Sequence, residues 1–566
     1  MAALCASVGL AACGGGASST PSPAPTSGST ATGPAPVKEG GILRIGTGNY
    51  IDSFNPWNWI ESQSGMAMYE IYPALVQYDH EFKFVPDWAQ TWETSTDGLT
   101  WTFHLQSGGQ WSDGKPLTAD DAAWTINTSV KYKDDATANA AVNVGHVVNA
   151  TAPDANTLVI TYDKPSATVL GGLGEMPILP RHVWEPLDTD GKGSGLKKYR
   201  PELHMPMVTA GAFTIAKYEK KGTTVFKADP NFYGPKAHAA AVALTYYTNN
   251  DAMIADLKGG NLDYLDQVPF KAVKAVSAMP NVTVDKADGA EFTDITWNSN
   301  PKKKKHRELL DPALKKALAM GIDRQRIIDV VFEGNASLVD SVVGHIAGYY
   351  ENKNLIPPKF DIAAGNAALD GLGYARGADG IRVVPASATE AAHPMAYDVM
   401  IPTSLDYDGP RTFQIIKDGW AQMGVTVTEV SGGDSTAAYA YETGDNCDAT
   451  KGTGYEKFDI ALWDWVPYPD PDQQLSYMTK AQWCSWNDTG YDNPAYDALY
   501  DQQSTTVDRA ARKVIVDQMQ QMLFDEQIYT VIANEVALSA HSNAWVGIDQ
   551  KVDAYSKTFL AAPHQA

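Results

Sequence analysis

The sequence predicts an α/β protein of two or three domains, and three observations carry that prediction. The chain has 566 residues, more than one hydrophobic core can organise. Between Asp311 and Val430 helical and extended patterns alternate, as they do in an α/β layer. Earlier, Leu99, Trp101, Phe103 and Leu105 alternate with Thr100, Thr102, His104 and Gln106, the period-two pattern of a strand with one buried face.

Taken in order, Gly41–Gly48 reads as a first strand, and Asn49–Trp59 (NYIDSFNPWNW) as the loop leaving it. Asp97-Gly98 supplies a turn before the alternating strand, because glycine accepts positive φ without Cβ strain. Thr118-Ala-Asp-Asp121 offers a capping box for a following helix. Thr157–Tyr162 reads as a strand, and Asp188–Gly195 as a surface turn that lacks the later ligands of a calcium loop. Phe292–Asn298 reads as a short strand. Asp311–Ile328 reads as one helix with Pro312 in its first turn, since Leu314, Ala317, Leu318, Gly321 and Ile322 recur at helical spacing. Tyr397–Pro402 is a strand, Gln414–Met423 a helix, Val425–Val430 a strand, Ala510–Phe524 a helix, and Tyr529–Ala533 strand-like.

Composition narrows the function. Hydrophobic residues make up 44% and aromatics 10%, which excludes wholesale disorder. A formal charge of −23 argues against a nucleic-acid partner, which needs a basic footprint. The one basic run, Lys302–Arg307 (KKKKHR), reads as a solvated loop. Gly14–Val37 is built of Gly, Ser, Thr, Pro and Ala, a flexible tether. Met1–Cys13 is apolar and ends Leu10-Ala-Ala-Cys13-Gly14, which resembles a lipobox with Cys13 as the acylated residue. The segment is too short to cross a membrane, and without a basic leader its true start is expected upstream of Met1.

No nucleophile elbow, zincin motif, P-loop or G-x-G-x-x-G is present, and no histidines pair at i, i+4. An enzyme is not expected, nor is a metal or cofactor. The informative stretch is Phe458–Asp472 (FDIALWDWVPYPDPD). A buried strand, Ile460–Leu462, delivers Trp463, Asp464, Trp465 and Tyr468 to a proline-stiffened loop. Flat aromatics beside a carboxylate make a pocket wall, the rings giving area and the charge selecting an amine or hydroxyl. The competing structural reading is a tryptophan cluster capping a core.

Pro86–Leu105 (PDWAQTWETSTDGLTWTFHL), followed by Trp111–Asp121 (WSDGKPLTADD), resembles the signature of the family 5 extracytoplasmic solute-binding proteins. These are the peptide- and nickel-type receptors of ABC importers. Asp229–Gly234, Leu257–Asp263 and Asp311–Ile328 are similar to further family elements, so the resemblance runs from about Gly41 to the C-terminus. It implies a two-lobe periplasmic-binding-protein-like fold of the class II type, with an additional subdomain inserted in lobe one. The expected segments are 1–13 signal, 14–40 tether, 41–68 and 207–297 lobe one, 69–206 subdomain, 298–528 lobe two and 529–566 the return to lobe one. The implied role is capture of a peptide or similar small solute between the lobes and delivery to an ABC permease. The receptor would be monomeric and lipid-anchored on the outer face of the cytoplasmic membrane. Alternatives are a sugar, metal chelate or other nutrient as cargo, or an extracellular hydrolase on the same scaffold. The resemblance places Trp463, Asp464, Trp465 and Tyr468 at the ligand from lobe two and Tyr50, Trp57 and Trp59 at the cleft border from lobe one, although each of these last three could equally be packing. It also suggests a bridge between Cys447 and Cys484, since exported chains meet oxidising conditions. Peptide-binding members carry an amine-holding Asp three residues before the acidic-Pro pair, where this chain has Pro467.

Overall fold

The computed structural model describes residues 38–79, 83–174, 176–405, 408–433, 435–444, 447–451, 453–548 and 562–566. Cys13, the lipobox and the tether lie outside the described residues.

Three sets of elements matter for function. The first set comprises β1 (Ile42–Thr47), β2 (Ala89–Thr94), β3 (Thr100–Leu105), α1 (Ala119–Tyr132), β4 (Val147–Asp154) and β5 (Thr157–Tyr162). The second comprises β6 (Phe213–Lys217), β7 (Thr223–Ala228), β8 (Ala241–Tyr246), β9 (Tyr264–Leu265) and β10 (Val282–Trp297). The third comprises α2 (Pro312–Ala319), α3 (Arg324–Val330), β11 (Ala336–Ser337), β12 (Ala396–Pro402), α4 (Asp408–Gln422), β13 (Thr426–Gly433), α5 (Ser435–Thr443), β14 (Ile460–Trp465), α6 (Arg509–Asp525) and β15 (Tyr529–Ser542).

One sheet runs through the protein in the order β13-β12-β14-β10-β15-β9-β1-β8-β7-β6, with β11 added on β15. Its two halves meet at β10 and β15. These antiparallel partners run from Val282↔Ser542 at one end to Thr296↔Tyr529 at the other. β10 is therefore 16 residues long, where the sequence reading expected only a short strand from Phe292. Its polar front half, with Asp285, Lys286 and Asp288, hid the strand signal. Between Ala287 and Glu291 the ladder shifts register, a bulge that bends and twists the strand.

The inserted four-stranded sheet, β2-β3-β5-β4, is antiparallel. It sits under α1, which begins with a capping box between Thr118 and Asp121. The Thr118 N–H donates to Asp121 Oδ2 at 3.0 Å, satisfying one of the donors a helix start leaves unpaired.

The helix expected over Asp311–Ile328 is instead two, α2 and α3. Asp323 caps the second by accepting from Arg326 N–H. The break lies at Gly321, where a Cβ would fall 2.6 Å from Met423 Sδ and 2.7 Å from Trp420. Close approach of α4 thus requires glycine there. A second correction concerns the basic run. Lys303 is buried, its ammonium 2.8 Å from Asp459 and donating to the Phe458 carbonyl, so the run is only partly solvated. Among the described residues no helix is long and apolar enough to cross a membrane.

Candidate functional site

Strand direction locates the cleft. β8 and β9 run parallel to β1, and β9 pairs antiparallel with β15. The carboxyl ends of all three strands therefore point at the crossing. In the other half, β12 is parallel to β13 and β14, and β14 is antiparallel to β10. Their carboxyl ends point at the same crossing from the opposite side. Val399, Ile401 and α4 residues such as Ile416 share one core cluster, whereas Met400 and Ala438 of α5 share another. The connections β12-α4-β13 and β13-α5-β14 therefore cover opposite faces. That leaves a crevice at the ends of β12 and β14, where open α/β sheets bind ligands.

β14 reaches this crevice with Trp463, Asp464 and Trp465, all half-buried. Trp463 pairs with Asp294, Asp464 with Thr293 and Trp465 with Phe292. Alternation places the two indoles on the α5 face and the carboxylate on the α4 face. Trp463 packs with Tyr441 against Met400 and Ala438. Trp465 donates its ring N–H to Asp488 Oδ2 at 3.3 Å and lies 4.9 Å from the Tyr477 ring.

Acids gather around these residues. Glu291 pairs directly with Glu535 across β10 and β15. Thr293, the partner of Asp464, donates its hydroxyl to Glu535. Three carboxylates on three adjacent strands thus share the α4 face. Burial and the charge of Asp464 push Glu291 up to about 7, and burial pushes Asp464 up to about 6. Glu535 is also raised, by burial and then by Glu291. On the opposite face Asp294, Asp488 and Glu442 are buried; burial raises all three, and the charge of Asp488 raises Asp294 and Glu442 further. These groups were missed in the sequence because Glu291 and Glu535 lie far apart along the chain and only the register joins them.

The remaining candidates separate. Tyr50 follows β1 at the crossing end, with its ring 5.6 Å from Tyr246 and the Lys221 ammonium 4.8 Å from its centroid. Tyr468 packs with Phe84 against Tyr78 and Ile346, joining the β14 loop to the segment before β2. Trp57 is a core residue: its ring meets Trp184 at 5.3 Å and its N–H donates to Ser129 at 3.1 Å. A loop tryptophan near the first strand was drawn inward by the inserted subdomain's aromatics. Trp59 packs at the edge of the same core, partly buried. Cys447 and Cys484 are joined, with Sγ–Sγ 2.04 Å, and flank β14 in the chain.

Fold and crevice together define a two-lobe binding protein. The model of the bacterial extracellular solute-binding proteins, family 5, matches residues 83–485. The chain belongs to that family, which places it outside the cytoplasm. A Brucella ovis protein named as an ABC transporter peptide-binding protein is 25% identical over 325 residues, 57% of this chain and 57% of that one. The chain thus matches little more than half the length of that relative. Protein XP55 of Streptomyces lividans is 24% identical over 509 residues, covering 86% of this chain and 83% of the other. Among solved structures, the oligopeptide-binding protein AppA of Bacillus subtilis with a nonapeptide superposes with TM-score 0.77 at 17% identity, covering 94% of this chain and 100% of that one. NikZ of Campylobacter jejuni with Ni(L-His) gives TM-score 0.77 at 17% identity, over 93% and 99%.

Proposed function

We propose that this protein is a receptor that captures a small solute between its lobes and delivers it to an ABC permease, with Cys13 as lipid anchor. The observation that carries the reading is the meeting of two sets of parallel-strand carboxyl ends at the β10–β15 crossing. Closure would bend both strands at the bulge between Ala287 and Glu291, the hinge motion expected of such folds. In this reading Trp463 and Trp465 wall the cleft, Asp464 supplies a polar contact, and Tyr50 and Tyr468 border it.

The cargo we favour is a peptide or similar solute bearing a cationic group. Support comes from Glu291, Glu535 and Asp464, which form no ion pair among the described residues. An amine would relieve their repulsion in a low-dielectric site. The peptide-binding name of the Brucella relative agrees with this cargo. Pro467 stands where peptide receptors place an amine-holding Asp, so in this chain the amine would meet Asp464 and the glutamates instead. The role is binding without turnover.

Mass spectrometry of solute retained by the purified protein, followed by calorimetric titration, tests the proposal. A saturable ligand recovered unchanged supports it. Conversion of the ligand would make the protein an enzyme and overturn it.

A further inference from the structure

Lobe two holds a second constellation, on the side away from the cleft. Asp459 and His393 precede the amino ends of β14 and β12, whose carboxyl ends face the crossing. There His306, from the basic run, meets Glu308, Glu390 and His393. His306 Nδ1 lies 3.4 Å from Glu308 Oε1, and His393 Nε2 lies 3.7 Å from Glu308 Oε2 and 3.5 Å from Glu390 Oε1. One donor atom each from His306, Glu308 and His393 lies within 4.8 Å of the others. A zinc ion with bonds of about 2.0–2.1 Å holds tetrahedral ligands about 3.3–3.4 Å apart, so these separations need little adjustment.

The orientation of the rings strengthens the case. His393 Nδ1 is 3.1 Å from the Pro394 carbonyl, a contact that requires the proton on Nδ1 and leaves a lone pair on Nε2. His306 Nε2 faces Asp459 Oδ2 at 3.8 Å, so in the neutral ring protonated on that nitrogen the lone pair on Nδ1 points at Glu308. His306 Nδ1 and His393 Nε2 are buried atoms without a hydrogen-bond partner. Both converge on the same carboxylate. Glu308 is itself fixed by the Tyr397 hydroxyl, which donates to Oε1 at 3.0 Å. Outer contacts of this kind orient ligands and set the tautomer in metal sites. The nearby Lys303 ammonium is held by Asp459 at 2.8 Å, so its charge is largely answered. His306 itself has φ of +50°, a left-handed conformation uncommon for a residue with a Cβ.

We propose that His306 Nδ1, His393 Nε2 and Glu308 bind one divalent transition-metal ion, zinc by the chemistry of the donor set. Two imidazoles and a carboxylate suit zinc over calcium or magnesium, which prefer oxygen ligands alone. The ion would staple the segment after β10 to the short strand His393–Pro394 that precedes β12. It is a structural site, separate from the cargo.

The test uses the full chain after treatment with EDTA and dialysis. Calorimetry should find one Zn²⁺ per chain, and added Zn²⁺ should raise the melting temperature. The Co²⁺-loaded protein should absorb in the visible as tetrahedral cobalt does. His393→Gln and Glu308→Gln should abolish binding, and Tyr397→Phe should weaken it about 10–100-fold. Glu291→Gln, in the cleft, should leave it intact. His393 is partly exposed, in a two-residue strand paired with Val383–Val384, and circular dichroism of each variant checks that it folds. Melting unaffected by Zn²⁺ and EDTA would mean ordinary ion pairs of protonated histidines and overturn the proposal. So would binding that survives His393→Gln.

Discussion

Glu291 and Glu535 stand directly opposite each other on adjacent antiparallel strands, at the point where the chain passes between the lobes. Like charges so placed are destabilising. Both groups are raised by burial and then by neighbouring acids, Asp464 for Glu291 and Glu291 for Glu535. A carboxylate whose folded pKa exceeds its unfolded value stabilises the fold below about pH 4, and that contribution is lost as pH rises through the folded pKa. For Glu291 and Asp464 the loss falls between roughly pH 4 and the raised values of about 7 and about 6. The ligand-free protein should therefore melt lower at pH 8 than at pH 5. Glu291→Gln should flatten that dependence and gain about 0.2–1 kcal/mol at pH 8. Thermal melts across pH decide it, and an unchanged slope would count against the pairing.

A cationic cargo should restore ionisation to these acids. Affinity is then expected to rise from pH 5 to pH 8, with protons released on binding below pH 7. Titration calorimetry in buffers of differing ionisation enthalpy measures the release directly. Affinity independent of pH would exclude a cationic group at Glu291 and Asp464.

Trp463→Ala should weaken cargo binding by about 2 kcal/mol, a factor of about 30 in Kd. If the indole is only core, the same change should cost roughly 3–5 kcal/mol of stability with affinity kept. Calorimetry and melts on one preparation separate the outcomes. Trp465→Phe keeps the ring but removes the donor to Asp488, so it should lower stability more than affinity.

Closing the loop between Cys447 and Cys484 should stabilise the protein by about 3–4 kcal/mol in the chain-entropy model. Cys447→Ser and Cys484→Ser should each lose that amount in denaturant melts. Two reactive thiols in the denatured, unreduced protein would refute the bridge.

Cys13→Ala should release the protein from the membrane fraction of detergent-free extracts. A single acyl chain holds only marginally, so stable anchoring implies more than one on this cysteine. Retention of the variant would place the anchor elsewhere.

Local chemistry was legible in the sequence; register and long-range convergence were not. The Thr157–Tyr162 strand and the Thr118 cap depend on neighbours a few residues away, and both appear where the pattern puts them. Trp463 and Trp465 could be assigned to a strand end, but not to a face, until β14 was paired with β10. Trp57 carried no mark distinguishing wall from core, because its partners Trp124 and Trp184 come from a distant insertion. His306 and His393 lie on separate segments, a loop and a short strand, and no spacing rule reaches that far.

The position of β15 has a consequence for how the protein is made. It lies in the middle of the sheet, between β10 and β9, yet it is the last long strand to be synthesised. Until Tyr529–Ser542 emerges, the chain holds two half-sheets with open inner edges, β10 on one and β9 on the other. Each edge offers unpaired backbone groups to any strand that meets it. The sheet thus stays incomplete through most of synthesis, a state prone to wrong pairing. Arrival of a single strand then turns two halves into one.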